Sequence, residues 1–167
     1  SREKAGSVMS KLMPYVDICI ANEEDAADVF GIRAENTEVS RGALSREGYE
    51  EVARSLSRRF GFKKAAITLR SSISASDNRW AALLFDGEKC MHSREYPIHI
   101  VDRVGGGDSF CAGLIYGLLS GFDDQKALEF AVAASCLKHT VEGDFNTVTV
   151  DEVLRLAQGD GSGRVQR

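Results

Sequence analysis

The stretch VDRVGGGDSFCAGLIYGLL, residues 101–119, decides how the rest of the chain is read. A run containing Ile98, Ile100 and Val101 stops at Asp102 and Arg103, and three consecutive glycines then lead to Asp108. From Asp108 onward, Phe110, Leu114, Ile115, Leu118, Leu119 and Phe122 recur at helical spacing and predict one buried helix face. Strand, glycine turn and helix start together make a device for holding an anion. The first N–H groups of a helix lack intrahelical acceptors, and the macrodipole adds positive charge there. Glycine lets those groups approach an oxyanion with no Cβ in between. A Gly/Asp pair also makes an ordinary turn and N-cap. Three glycines in a row exceed what such a turn requires, because each raises the entropy lost on folding.

Two phosphate-binding patterns fail on these residues. The P-loop requires a lysine directly after its last glycine, and none follows here. The dinucleotide pattern GxGxxG matches at Gly105 and Gly107 but places Phe110 third. It also requires a second strand ending in an acid, whereas after Phe122 this chain enters another helical segment.

Composition narrows the classes. The chain has 167 residues, 43% hydrophobic and 28% charged, enough for one domain with a real core and unlike a disordered segment. Its net charge of −4 and runs of at most two Lys/Arg argue against a nucleic-acid groove or an anionic membrane surface. No apolar run approaches the ~20 residues that span a bilayer. The opening SREKAGSVMSK has no apolar signal-peptide core. Cys19, Cys90, Cys111 and Cys136 form no CxxC pair, and no histidines stand at ligand spacing, so no structural zinc is expected. Free thiols of this kind fit a reducing, cytoplasmic setting.

In chain order, the pattern predicts a helix over 2–13 stopped by Pro14, a strand over 15–21, and a helix closed by Gly31. Asn22 reads as the N-cap of that helix. Residues 32–44 read as a surface excursion, and Ser45 as the cap of a helix carrying Tyr49, Val52, Ala53, Leu56 and Phe60. A strand over 63–70 and two strands joined near Asp86-Gly87 follow. After the helix from Asp108 comes a second, over 123–140, with Ala127, Leu128, Ala131, Ala134 and Leu137 inward. His139 stands at its end, where a cation suits the dipole. A last helix runs from Thr149 or Asp151 to Ala157. Residues 1–158 are thus read as one unit, and 159–167 as a flexible glycine-rich tail. The order predicts an α/β fold, a mostly parallel sheet flanked by helices with an antiparallel addition. Ligands in such sheets sit beyond the carboxyl ends of strands. Three polar stretches fall there: residues 22–25, 68–74 and 102–108.

Asp102, two residues, Gly105-Gly106-Gly107-Asp108, then a helix with the small pair Ala112-Gly113, resembles the second signature of the ribokinase-like (PfkB) carbohydrate kinases. Two departures stand out: Arg103 replaces a small or β-branched residue, and Gly106 replaces the commoner alanine. DICIANEEDAADVFGI, AITLR with SASDNRW after it, VDRVGGGDSF and GDFN extend the resemblance over nearly the whole chain. They point within the family to the branch acting on 2-keto-3-deoxygluconate. The resemblance implies a partial three-layer ribokinase-like fold, the C-terminal nucleotide-binding half. It implies ATP-dependent phosphorylation of a sugar acid to its 6-phosphate, with Mg2+ and a monovalent cation (K+) as further cofactors. Carried over residue by residue, it makes Gly105, Gly106 and Gly107 the anion hole and Asp108 the base for the sugar hydroxyl. Beside a helix N-terminus, Asp108 suits orientation and late proton acceptance. The resemblance also places Asn22, Asp25 and Asp102 near magnesium. Asp25 stands where glutamate is usual, a departure that Glu23 or Glu24 could offset. Thr68, Arg70 and Ser71 fall near the nucleotide phosphates and ribose, Ala134 against adenine, and Arg103 near the acid's carboxylate or the phosphate charge. Because the sugar contacts and β-lid of such kinases lie in an N-terminal half, the chain alone is expected to be inactive and to pair with a second copy as a homo-oligomer. A kinase of a neutral sugar and a non-catalytic nucleotide-binding module remain alternatives on the same residues.

Overall fold

Alternation along residues 64–72 organises the molecule. Ala65 and Ile67 are fully buried on one face of the strand and Ala66 on the other, so the sheet is covered on both sides. A computed structural model describes residues 1–33 and 46–159. The expected excursion at 32–44 beyond Arg33, the Ser45 cap, and the tail beyond Gly159 lie outside the described residues. The elements are α1 (Arg2–Leu12), a 3-10 turn (Met13–Tyr15), β1 (Ile18–Ala21), α2 (Glu23–Phe30) and α3 (Arg46–Phe60). Then come β2 (Lys64–Ser72), β3 (Asp77–Phe85), β4 (Cys90–His92), β5 (Tyr96–His99), α4 (Gly106–Leu119), α5 (Asp124–Lys138) and α6 (Val150–Gln158).

Helices α1, α2 and α3 cover one face. Tyr49, Val52, Ala53 and Leu56 of α3 meet Ala65, Ile67, Leu83 and Phe85. On the other face Phe110, Leu114, Leu128, Ala131 and Val132 meet Ala66, Trp80, Ala82, Leu84 and Ile98. The result is the three-layer α/β arrangement expected. Each fully buried Leu, Ile or Phe among these contributes about 1.5–3 kcal/mol. No described helix is long and apolar enough to cross a membrane.

The sheet is mixed where a mostly parallel one was expected. The path is β1-β2-β3-β4, with β5 also on β3, and among the described strands only β1 and β2 pair in parallel. The reason is the connection. Ile73 and Ser74 donate to the Asp77 carbonyl, closing a tight turn, and a parallel return would need a crossover of a dozen or more residues. The strand read after Asp86-Gly87 is two short strands, because Ser93 breaks it: its hydroxyl accepts from the Ala82 N–H at 2.9 Å and donates to the Arg94 carbonyl at 2.8 Å.

Helix α4 begins two residues before Asp108; Phe110 and Leu114 of the expected stripe are fully buried and Leu118 and Phe122 pack against the core, but two members face outward. Ile115 and Leu119 are 48% and 84% exposed; Gly113 and Gly117 face α5 instead. A Cβ on Gly113 would stand 2.9 Å from the Ala131 Cα, and one on Gly117 the same distance from the Ala127 Cα. Close backbone approach at the two glycines sets the spacing of this helix pair, with Leu114 and Leu128 buried in the same cluster.

Candidate active site

The glycine turn is held from behind by groups whose roles the sequence did not disclose. Gly105 caps α4 with φ +77°, a conformation that favours glycine, and the first helical bond runs from the Ser109 N–H to its carbonyl at 2.8 Å. The N–H groups of Gly107 and Asp108 therefore have no helical acceptor. Gly106 lies against the His139 ring: a Cβ there would stand 2.7 Å from Cε1 and 2.8 Å from Nε2. The departure from alanine at 106 thus has a local cause. The Ser135 hydroxyl donates to the Gly106 carbonyl at 2.8 Å. Gly107 differs from both, since a Cβ on it would meet nothing within 4 Å. Asp108 beside it is exposed.

His139 is not a solvated cation at a helix end. It is 5% exposed, packs on Trp80 with ring centroids 4.9 Å apart, and its Nδ1–H donates to the Ser135 carbonyl at 2.7 Å. Burial holds its pKa below the ordinary value, and the charges of Lys138, Arg103 and Arg70 push the same way. Its own carbonyl accepts from the N–H groups of Val101 and Asp102 at 2.8 and 3.3 Å, tying the approach to the turn onto the end of α5. The loop after α5 closes the other side. Asn146 donates to the Ser109 hydroxyl at 2.7 Å, and Asp102 accepts from the N–H groups of Val104 (3.0 Å) and Gly143 (2.9 Å). Those two backbone bonds keep the Asp102 pKa below the usual carboxylate range.

A polar cavity of about 160 Å³ opens beside this turn, lined by Asn22, Glu24, Thr68, Arg70 and Trp80. Contacts lead from it to the glycines: Trp80 to His139, and His139 to Gly106. The structure thereby gathers Asn22, Thr68 and Arg70 in one cavity, with Trp80 and His139 standing between it and Gly106 of the turn. Asn22 and Asp25 form a capping box at the start of α2. The Asn22 Oδ1 accepts from the Asp25 N–H at 2.7 Å, and the Asp25 Oδ2 accepts from the Asn22 N–H at 3.2 Å. Of the acids at 23–25, Glu24 lines the cavity while Asp25 serves the cap.

Of the residues expected at the nucleotide, Ser71 and Ala134 do not line the cavity. Ser71 alternates to the opposite face, where it lines a larger cavity of about 240 Å³ between α3 and the sheet that Arg70 also borders. Ala134 is 5% exposed and packs with Phe130, Ala133 and Val153, with its Cβ 3.3 Å from the place a Gly113 Cβ would take. Among the described residues Arg103 pairs with no acid; it donates to the Ala75 carbonyl at 2.6 Å and pins the β2–β3 turn to the glycine turn. Ser135, Lys138, His139 and Asn146 are the residues that sequence reasoning missed as supports of the turn. Their signals were position, at a helix end and in the loop after it, and for Asn146 its place in GDFN.

The profile of the pfkB family carbohydrate kinases matches residues 1–150. The chain belongs to this family. A 2-dehydro-3-deoxygluconokinase from Thermotoga maritima is similar over 95% of this chain and 46% of its own, at 50% identity and a TM-score of 0.88. A 2-dehydro-3-deoxygalactonokinase from Haloferax volcanii is 27% identical over 98% of this chain and 45% of its own length. An Arabidopsis thaliana ribokinase, solved with ribose and ATP, shares the fold at a TM-score of 0.66 and 24% identity, over 89% of this chain and 43% of its own. This pfkB chain spans a little under half the length of these relatives.

Proposed function

We propose that the full-length protein transfers the terminal phosphoryl group of ATP to a hydroxyl of a 2-keto-3-deoxy sugar acid, 2-keto-3-deoxygluconate in the first place, giving the 6-phosphate. The observation that carries this reading is the asymmetry of the three glycines. Gly105 and Gly106 are required by the protein's own packing, whereas Gly107 faces open space beside two N–H groups without helical acceptors and the exposed Asp108. A glycine that the fold does not need, at a helix start, suits the approach of a ligand oxyanion. The names of the two kinases of keto-deoxy sugar acids given above support the acceptor class.

Phosphoryl transfer asks the protein for alignment and charge stabilisation. The N–H groups at the turn receive charge on the transferred oxygens. Asp108 orients the acceptor hydroxyl and takes its proton as the bond to phosphorus forms. Arg70, Thr68 and Asn22 face the nucleotide phosphates from the cavity. The oxygens of Asn22, Glu24 and Thr68 fit magnesium, which favours oxygen ligands, and retained water. Among the described residues no group of three acids, histidines or cysteines could cage a metal. The donor set therefore fits an ion shared with the phosphates, which would supply neutralisation of their charge.

The test is ADP release by the full-length protein, wild type and Asp108→Asn, with 2-keto-3-deoxygluconate, 2-keto-3-deoxygalactonate and ribose. Turnover of a keto-deoxy acid that falls about a hundredfold or more in the variant supports the reading, as expected for a lost acid–base group. Turnover of ribose alone overturns the acceptor class. No turnover in the wild type with any of the three overturns the kinase reading.

A further inference from the structure

Lys138, the last residue of α5, is 0% exposed. Lysine is almost never fully buried unless its charge is used, because removing an ammonium from water is strongly unfavourable. Among the described residues no carboxylate pairs with it as a salt bridge; its Nζ donates to the Val141 carbonyl at 3.0 Å, in the loop that follows its own helix. Its stem reaches the glycine turn. A Cβ on Gly105 would stand 3.2 Å from the Lys138 Cε, 3.0 Å from the Asp144 Oδ1, and in collision with the Asp144 carbonyl oxygen. Asp102 completes the surroundings: it joins Val104 on the turn to Gly143 on the loop, and the Lys138 charge acts on it.

An ammonium set among a carbonyl oxygen and nearby carboxylates, at the seam of two loops, is the chemistry of a monovalent cation site whose cation is covalently tethered. Potassium and ammonium are close in size and charge, so one can serve where the other would. We propose that Lys138 is a positioning residue of the glycine turn. Its buried ammonium is a permanent internal cation that locks residues 141–144 onto Gly105 and backs the turn with positive charge, so no free potassium ion is needed there. The role acts through the turn's N–H groups, since nothing places Lys138 in contact with substrate. It rests on the kinase reading for its catalytic consequence, but not for the cation itself.

The experiment uses two variants of the full-length protein. Lys138→Met keeps the stem and removes the charge; Lys138→Ala opens the space to a free cation. Thermal melting is measured in sodium, potassium and ammonium chloride at one ionic strength, alongside ADP release. The wild type is expected to melt alike and turn over alike in the three salts. Lys138→Met loses about tenfold or more in kcat with little change in the KM for ATP, the pattern of a lost electrostatic contribution in the transition state. Lys138→Ala melts higher in potassium or ammonium than in sodium, and ammonium restores much of its turnover. A purely structural lysine would show neither the cation preference nor the rescue. A wild type that requires potassium, a Lys138→Met protein at full rate, or a Lys138→Ala protein indifferent to the cation overturns the proposal. If the wild type turns over nothing, the kinase reading falls and the melting series alone decides on Lys138. If Lys138→Ala does not fold in sodium but folds in ammonium, the proposal stands; if it folds in neither, full activity of Lys138→Met overturns it.

Discussion

Replacing the three glycines one at a time by alanine separates what the fold needs from what the ligand needs. Gly107→Ala adds a methyl group where no protein atom lies within 4 Å, in the first turn of α4. Alanine is favoured over glycine in a helix by about 0.5–1 kcal/mol. For a protein of this size that raises the melting temperature by about 2 °C. Activity is expected to fall about a hundredfold, as when one oxyanion donor is lost, because the methyl stands between the N–H groups and the phosphoryl oxygens. Gly105→Ala is the contrast. Its φ of +77° costs a side chain about 1–2 kcal/mol, and the collision with Asp144 adds about 1–3 kcal/mol of overpacking. Gly106→Ala drives its methyl into a His139 ring already packed on Trp80 and costs about 1–3 kcal/mol. The assays are calorimetric melting and ADP release on the same preparations. A Gly107→Ala protein that is as stable as the wild type and turns over within about threefold of it would refute the reasoning, since open space there would then mean nothing about a ligand.

Acidity should reach the fold through His139. Burial holds its native pKa below the ordinary 6.5, so the unfolded chain binds the proton first as the pH falls. Stability should decline below that value by up to about 1.4 kcal/mol per pH unit. His139→Gln should flatten the melting profile between pH 7 and pH 5; an unchanged slope would mean that another group sets it. Gly113→Val should lower stability by about 1–3 kcal/mol, because its branched side chain must displace the Ala131 backbone, and urea denaturation measures it. An unaffected midpoint would show that α4 and α5 separate easily.

Much of the fold was legible because local patterns and tertiary demands agree. The stripe Tyr49, Val52, Ala53 and Leu56 is the buried face of α3, and Gly31 ends α2 in the left-handed conformation, as a glycine there suggests. Where reading failed, the cause was a partner distant in sequence. Nothing in GLIYGLL says that its glycines join Leu114 against α5 while Ile115 and Leu119 face outward. The resemblance named Thr68, Arg70 and Ser71 together, whereas strand alternation puts Ser71 on the face opposite Thr68. The mixed sheet followed from one tight turn between β2 and β3.

The sequence by itself determined the glycine turn, the helix it opens and the acid beside it. These depend on residues adjacent in the chain, where backbone freedom and unpaired N–H groups are local properties. Only the tertiary structure decided why each glycine is there. It laid His139 on Gly106, the Lys138 stem and Asp144 around Gly105, and left Gly107 open. It also turned His139 from a helix-end cation into a buried support and buried Lys138 beside it. Their neighbours come from β3, from the α4 turn and from the loop after α5, and only packing brings these together.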